Sequence, residues 1–546
     1  ASGAAGDAGV GGAADAGPDV APDAPFPCNS DECYIASSCV AAGTPHPSDP
    51  CQACLPTKNL TAWTKDDANT TCDGKPFWTG VTHAIGKTPY GHSTAISCHN
   101  CYTSEFSSTL TKIHDAQTNG ADLIELDLKE QGGTVYVQHD DNGYVGGPKL
   151  SDVLADPPLK AGDQMLFMEF KETAASDANV GQVLDALVAN GYGTAGRPVV
   201  LRAFDAVSQN LLIARRLLAT AKYASLRPNV RLMVLFSKAD GNDIAALQTK
   251  VRQAREKGYH GVEFEYQTPN LFGALVYARS LDLGINVWTV PSLMGEVFIA
   301  NLRDEVDAIT VDYSLAKSRA VVTANNGLFY MNVWNQGGTS GKVKWYRGNT
   351  TAYDALVGGA GQPTLETLPV GQDRFGTSLV FAAAQKQSIP LYDADNDPTT
   401  GYFVAAVVNF DQTIPADGDT SVLLGKADSG SFSLELFNPA GNGDTDAVLR
   451  FGVHVTDSYR YATYPAGQLN GTQSYFVTAA FDGEGGTWLW VNNDSSASTS
   501  AAAVTGGATQ NDSTMLLGAD PQGTATPRFF FSGRIQMALV QKWANH

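Results

Sequence analysis

The sequence predicts a multidomain chain in which an α/β domain, a parallel (β/α)8 barrel, precedes an all-β sandwich. Three observations carry this. Between about residues 94 and 312, apolar runs of strand length alternate with amphipathic segments of helical period. Residues able to do chemistry fall at the ends of those runs, where a parallel barrel places its active site. After about residue 320 the helical period stops, and Gly, Thr, Ser, Asn and Asp punctuate short strands such as 401–410 and 474–493.

Taken in order, residues 1–27 are almost entirely Ala, Gly, Asp, Pro and Val, a low-complexity tether with no apolar surface to bury. Residues 28–75 hold six cysteines: Cys28, Cys33, Cys39, Cys51, Cys54 and Cys72. So small a segment cannot build a core, and disulfides would stand in for one. Zinc is the rival, because Cys51-x-x-Cys54 has ligand spacing. The remaining spacings are irregular and no His pair follows, so disulfides and an oxidising, secreted or extracytoplasmic location are favoured.

The barrel is assigned to 76–320. Its strands are read at Thr94–Cys98, Leu123–Leu128, Met165–Phe170, Val199–Phe204, Arg231–Phe236, Gly261–Phe264, Ile285–Val290 and Ala308–Val311. Helices are read at Val180–Ala189, Leu211–Ala221, Ile244–Lys257 and Leu271–Leu281. Residues 321–365 carry aromatics and Gly-rich turns without declaring a domain, and 366–546 form the sandwich.

Composition narrows the partners. The chain has 546 residues and a net charge of −20, so it lacks the cationic surface that nucleic acid or an anionic membrane requires. No stretch reaches the roughly 18 apolar residues of a membrane-spanning helix. The chain begins at Ala1 with no charged-then-apolar leader, so an export signal, if used, is expected to have been removed.

The most informative stretch is 119–141. On a strand, residues i and i+2 share a face, so Glu125 and Asp127 project together while Ile124, Leu126 and Leu128 face the packing side. Paired like charges in a buried strand call for a cation. A Gly-Gly turn at 132–133 and a second strand, Thr134–Gln138, then deliver His139 and Asp140. Two hard oxygen ligands beside an imidazole suit a metal-assisted phosphate site. Further polar residues fall at the same barrel end: His99 after strand one, Glu169 and Lys171 on strand three, Glu263 and Glu265 on strand six, Trp288 on strand seven and Asp312 after strand eight. Glu263, Glu265 and Trp288 are candidate pocket walls. A salt-bridged rim and a core aromatic are the plain alternatives.

The segments GADLIELDL, VYVQHDD, LFMEFKE, INVWTV and DAITVDYS resemble the glycerophosphodiester phosphodiesterases, of the phospholipase-C-like phosphodiesterase barrel superfamily, over about 94–320. The resemblance implies a divalent ion, Mg2+ or Ca2+, on Glu125, Asp127 and Glu169. It also implies two catalytic histidines, the second at His139, and a phosphate contact from Lys171. The family's His-Arg-Gly is here Cys98-His99-Asn100-Cys101. His-Asn is similar to the phosphatidylinositol-specific phospholipases C, which implies that Asn100 helps bind the metal. His83 is the rival for the first histidine, but His99 ends the run TAIS and is chosen. Cys98 and Cys101 are expected to form a disulfide that fixes the His99 loop; a redox or metal Cys-x-x-Cys is the alternative.

Residues 28–75 resemble the small Cys-rich modules of secreted myxobacterial proteins, and a tether such as 1–27 follows a lipidated Cys in bacterial surface lipoproteins. The C-terminal segment resembles concanavalin-A-like, laminin-G-like jelly rolls, which implies a glycan or cell-surface partner. Asp393, Asp395 and Asp397 have calcium-loop spacing, with a solvated acidic turn as the plainer reading. The expectation is a secreted or surface phosphodiesterase. The alternatives are a phospholipase D-like or cyclising reaction in the same barrel, or an inactive barrel kept as a glycan- or protein-binding adhesion protein.

Overall fold

The structure, a computed structural model, describes residues 27–47, 52–66, 94–139, 147–171, 175–290, 306–333, 341–347, 351–368, 376–391, 401–492 and 508–542, with short interior gaps, together with Thr499. Residues 1–26, Cys51, Cys72, His83, Asp140 and the Asp393, Asp395, Asp397 series lie outside the described residues.

Eight parallel strands form the barrel: β1 (Ala95–Cys98), β2 (Leu123–Gln131), β3 (Met165–Phe170), β4 (Val199–Phe204), β5 (Val230–Phe236), β6 (Gly261–Glu265), β7 (Gly284–Val290) and β8 (Ala308–Val311). They pair in sequence order, and β8 closes on β1 through the register Ala308↔Ala95 to Val311↔Cys98. The helices are α1 (Phe106–Thr118), α2 (Leu150–Ala155), α3 (Pro157–Ala161), α4 (Asp177–Asn190), α5 (Gln209–Leu218), α6 (Ile244–Glu256), α7 (Leu271–Ser280) and α8 (Leu315–Thr323).

Strand alternation sorts the side chains by depth and chemistry. Ile124, Leu126 and Leu128 join the outer core beneath the helices. Ala95, Leu123, Met165, Phe167, Val200, Met233 and Ala308 fill the lower lumen as a separate apolar plug. Glu125, Asp127, Glu169, Arg202 and Thr310 follow those positions at intervals of two, on the same faces but nearer the C-terminal strand ends; Glu263 and Asn286 stand likewise two residues after Gly261 and Gly284, and all seven are buried. The barrel thus carries a dry floor under a charged layer.

β2 outruns its expected end at Leu128 and turns back at Gly132 and Gly133, both at positive φ, into the antiparallel strand Thr134–Val137. This hairpin returns His139 to Asp127, helped by the Gln138 N–H donating to the Asp127 carbonyl at 2.8 Å.

The N-terminal module is held by Cys28–Cys39 and Cys33–Cys54. Cys54 is therefore no zinc thiolate, which corrects the metal alternative for Cys51-x-x-Cys54. The module packs Ala42, Ala53 and Leu55 against Ala219, just past the C-terminal end of α5. Arg216 of that helix pairs with Asp31, and Arg227 pairs with Asp66 at 2.7 Å. In a (β/α)8 barrel helix C-termini lie at the N-terminal rim of the strands, so the module sits opposite the charged layer.

The C-terminal part is a sandwich of one nine-stranded and one six-stranded antiparallel sheet. Residues 321–365, without a domain from sequence, supply strands of the larger sheet, including Gly327–Asn332, Lys342–Arg347 and Thr351–Leu356. Within the strand Tyr402–Asn409, Val404, Ala406 and Val408 face the sandwich core, whereas Phe403, Ala405 and Val407 join the barrel's core. Phe272 of α7 meets Phe476 of the sheet at 6.0 Å between ring centroids. Helix α7 is consequently buried nearly all round, unlike an ordinary surface helix.

Candidate metal and catalytic centre

The site is built from the C-terminal ends of β1, β2, β3 and β4, whose registers align its members. Asp127 stands opposite Glu169, and Glu169 opposite Arg202. Carboxylate oxygens of Glu125, Asp127 and Glu169 lie within 4.8 Å of one another, and all three residues are buried. Glu125 Oε1 and Glu169 Oε2 accept from Arg202 Nη2 at 2.5 and 2.8 Å. Glu125 Oε2 accepts the backbone N–H of Asn100 at 2.7 Å. Lys171 Nζ lies 2.5 Å from Glu169 Oε1 and 3.4 Å from Asp127 Oδ2.

Tyr102 donates its hydroxyl to Asp127 Oδ2 at 2.6 Å and reaches Asn100 Oδ1 at 2.9 Å. The other oxygen, Asp127 Oδ1, is buried and has no hydrogen-bond partner among the described residues. With all four ionised, Glu125, Asp127, Glu169 and Glu263 exceed the two fixed cations among the described residues that face them, Arg202 and Lys171, by two negative charges. One divalent ion would balance that excess and give Asp127 Oδ1 a partner, so these residues fit a hard divalent cation such as Mg2+ or Ca2+.

The electrostatics follow from this crowding. Burial, with Glu169 and Glu125 adding repulsion, pushes the Asp127 carboxyl up to about 7. Burial likewise pushes Glu263 up to about 7, against the pull of Arg202. For Glu169 burial also acts upward, but Arg202 and Lys171 outweigh it and hold the group below the usual carboxylate range. Burial acts to lower Lys171, yet Glu169 and Asp127 together raise it. Lys171 is therefore a fixed cation at neutral pH.

His99 follows β1 directly, with Nδ1 against Asp312 Oδ1 after β8. Asn100 Nδ2 is 3.2 Å from His99 Nε2, and Asn100 adopts a left-handed backbone with φ of 48°. Cys98 and Cys101 are disulfide-bonded across this loop, as expected, which removes the metal alternative for the pair in this oxidised state. His139 Nε2 lies 3.9 Å from Asp127 Oδ2, with half of its side chain exposed.

The other candidates separate. Glu263 belongs to the cluster: its carboxylate accepts from Asn286 Nδ2 at 2.8 Å and lies 3.3 Å from Arg202 Nε. Glu265 instead accepts the Lys238 N–H at 2.6 Å, fastening the loop after β5. Trp288 is partly exposed and meets Phe204 edge-on at 5.4 Å. Two histidines away from this site have local partners: His114 pairs with Asp156 at 2.9 Å, and His260 Nδ1 accepts the Leu232 N–H.

Sequence reasoning missed Arg202 and Tyr102. Arg202 did leave a signal, a lone charge inside the apolar run VVLRAF. Tyr102 left none, because its role depends on the turn that brings it back to Asp127.

No protein-family model matches the sequence, and no curated protein matches it. Solved structures to which the chain is similar include a glycerophosphodiester phosphodiesterase from Parabacteroides distasonis, 17% identical, covering 43% of this chain and 98% of that one with a TM-score of 0.33. A glycerophosphodiester phosphodiesterase from Agrobacterium tumefaciens is 18% identical, with 42% and 99% covered and a TM-score of 0.29. The binding domain of Paraclostridial Mosquitocidal Protein 1 is 13% identical, with 40% of this chain and 50% of that chain covered and a TM-score of 0.28. No helix among the described residues is long and apolar enough to cross a membrane.

Proposed function

We propose that this chain is a metal-assisted phosphodiesterase that hydrolyses glycerophosphodiester or phospholipid-type P–O bonds, working outside the cytoplasm. The observation that carries the reading is the convergence of Glu125, Asp127 and Glu169 between two histidines at the mouth of the barrel. A divalent ion held by these carboxylates would supply charge neutralisation to a phosphodiester oxygen.

The chain's own residues supply the proton transfers and the positioning. Asp312 on Nδ1 of His99 favours the tautomer with its proton there, so Nε2 carries the lone pair, which exchanges its 3.2 Å contact with Asn100 Nδ2 for the attacking water whose proton it takes. His139, half-exposed and 3.9 Å from Asp127 Oδ2, gives a proton to the departing alkoxide. Lys171, kept charged by Glu169 and Asp127, contacts a phosphate oxygen. Tyr102 and Asn100 hold Asp127, Glu125 and His99 in place. The disulfides of the N-terminal module and of the His99 loop support an oxidising compartment.

The sandwich serves as the binding module in this reading, with a glycan or cell-surface partner. Its six-stranded sheet turns Arg450, Tyr459 and Tyr461 away from the sandwich core, with the two Tyr rings stacked at 5.8 Å.

A panel of glycerophosphodiesters, lysophospholipids and sphingomyelin, assayed with and without chelator and with products identified, tests the function. Metal-dependent release of a phosphomonoester and a free alcohol is expected. A cyclic phosphate product would replace hydrolysis with cyclisation. No cleavage of any substrate, together with glycan binding by the full chain, would replace the enzyme reading with that of a binding protein.

A further inference from the structure

We propose that Arg202 is a resident counter-ion that confines the carboxylate cluster to a single divalent cation and withholds Glu263 from it. The inference rests on the metal-site reading above.

Arg202 is 1% exposed and stands on β4 between the apolar plug and the site. Its guanidinium lies over the Phe167 ring of that plug, 4.7 Å from the centroid. Nη2 bonds Glu125 and Glu169 together, while Nε faces Glu263 Oε1 at 3.3 Å. One planar group thus occupies the inner side of the cluster, where three carboxylates from β2, β3 and β6 converge.

Three carboxylates cannot share a dry point without a cation. Two-metal sites use such convergence to hold ions about 3.5–4 Å apart. Here the inner place is filled by the chain itself. A lysine ammonium is a compact point charge, whereas the guanidinium fork reaches several carboxylates at once. Glu263 is further held by Asn286, which also bonds Thr310 at 3.0 Å, so its carboxylate is tied to the barrel wall. The place left for a divalent ion is on the outer side, where Asp127 Oδ1 has no hydrogen-bond partner among the described residues.

Mn2+ titration of the full chain, counting bound ions by calorimetry and by the free-Mn2+ resonance signal, tests this. The wild type is expected to bind one ion. Arg202→Met is expected to bind two, the second on Glu125, Glu169 and Glu263. One ion at wild-type affinity in Arg202→Met would overturn the proposal, as would two ions in the wild type. A wild type that binds no ion defeats the metal reading itself, which is a different result. Should Arg202→Met not fold, the charge-balanced Arg202→Met/Glu263→Gln variant decides. It is expected to bind one ion within tenfold of the wild-type affinity, and two ions or none would overturn the proposal.

Discussion

The backbone amide of Asn100 donates to Glu125 Oε2 at 2.7 Å, fastening the loop after the first barrel strand to a carboxylate of the second. The bond uses the main chain of Asn100, in the left-handed region, while its side chain reaches His99 and Tyr102. The carboxylate cluster and the His99 loop are thereby one mechanical unit.

Asn100 is accordingly expected to act through its backbone. Asn100→Gly keeps both the N–H and the left-handed conformation, so metal affinity should stay within a few-fold of wild type while kcat falls as His99 loosens. Asn100→Ala should destabilise by about 1 kcal/mol, because Ala lacks the short polar side chain that lets Asn tolerate the left-handed region. Calorimetric metal binding checks the first point, and a tenfold or greater loss in Asn100→Gly would make the side chain a ligand after all.

Replacing His99 or His139 by Ala should lower kcat by roughly 10²–10⁴-fold, the usual contribution of one positioned acid or base. Metal affinity and Tm should change little, since neither ring belongs to the buried core. Steady-state kinetics beside a melting curve decides. Unchanged kcat in His99→Ala with loss in His83→Ala would move the first histidine to His83.

Metal binding should strengthen as pH rises toward neutrality. The Asp127 carboxyl, raised to about 7, must lose its proton before it can hold a cation. Below that value affinity should rise close to tenfold per pH unit, with one proton released per ion, and flatten above it. Titration in buffers of different ionisation enthalpy measures the proton; no release at pH 6 refutes this.

The metal-free protein should show the opposite trend in stability. Asp127 and Glu263 both have folded-state values raised to about 7, above those of an unfolded chain. Their favourable contribution is complete below the unfolded value near 4 and is lost as pH rises through about 7. Chelated protein should therefore melt at a higher temperature at pH 5 than at pH 8, and Glu263→Gln should flatten the difference. A melting scan with chelator present checks both.

Opening the Cys98–Cys101 disulfide should affect rate more than fold, because the bond spans only the loop that carries His99 and Asn100. Cys98→Ser/Cys101→Ser is expected to lose on the order of 10–100-fold in kcat, the scale of a small misplacement at a reacting centre. Circular dichroism should be unchanged. Wild-type kcat in that variant would show that β1 and Glu125 hold the loop without the disulfide.

The sequence by itself determined the barrel and its charged end. Alternation on a strand is a local property, so Glu125 and Asp127 had to share a face, and Ile124, Leu126 and Leu128 the other. Strand length and helical period are local too, which is why the eight barrel strands and the helices α4 to α7 were legible with small errors at their ends, whereas α1, α2 and α3 were not read. What only the tertiary structure decided is which distant groups meet. Arg202 lies 77 positions from Glu125, and Asp312 lies 213 from His99; those contacts exist because the strands align in register and the barrel closes. Burial on both faces was likewise invisible locally. The run Phe403–Val408 is apolar throughout because one face meets the sandwich core and the other meets the barrel. A buried charge is tolerable only where its partners arrive together, and that condition is set by packing in three dimensions rather than by spacing along the chain.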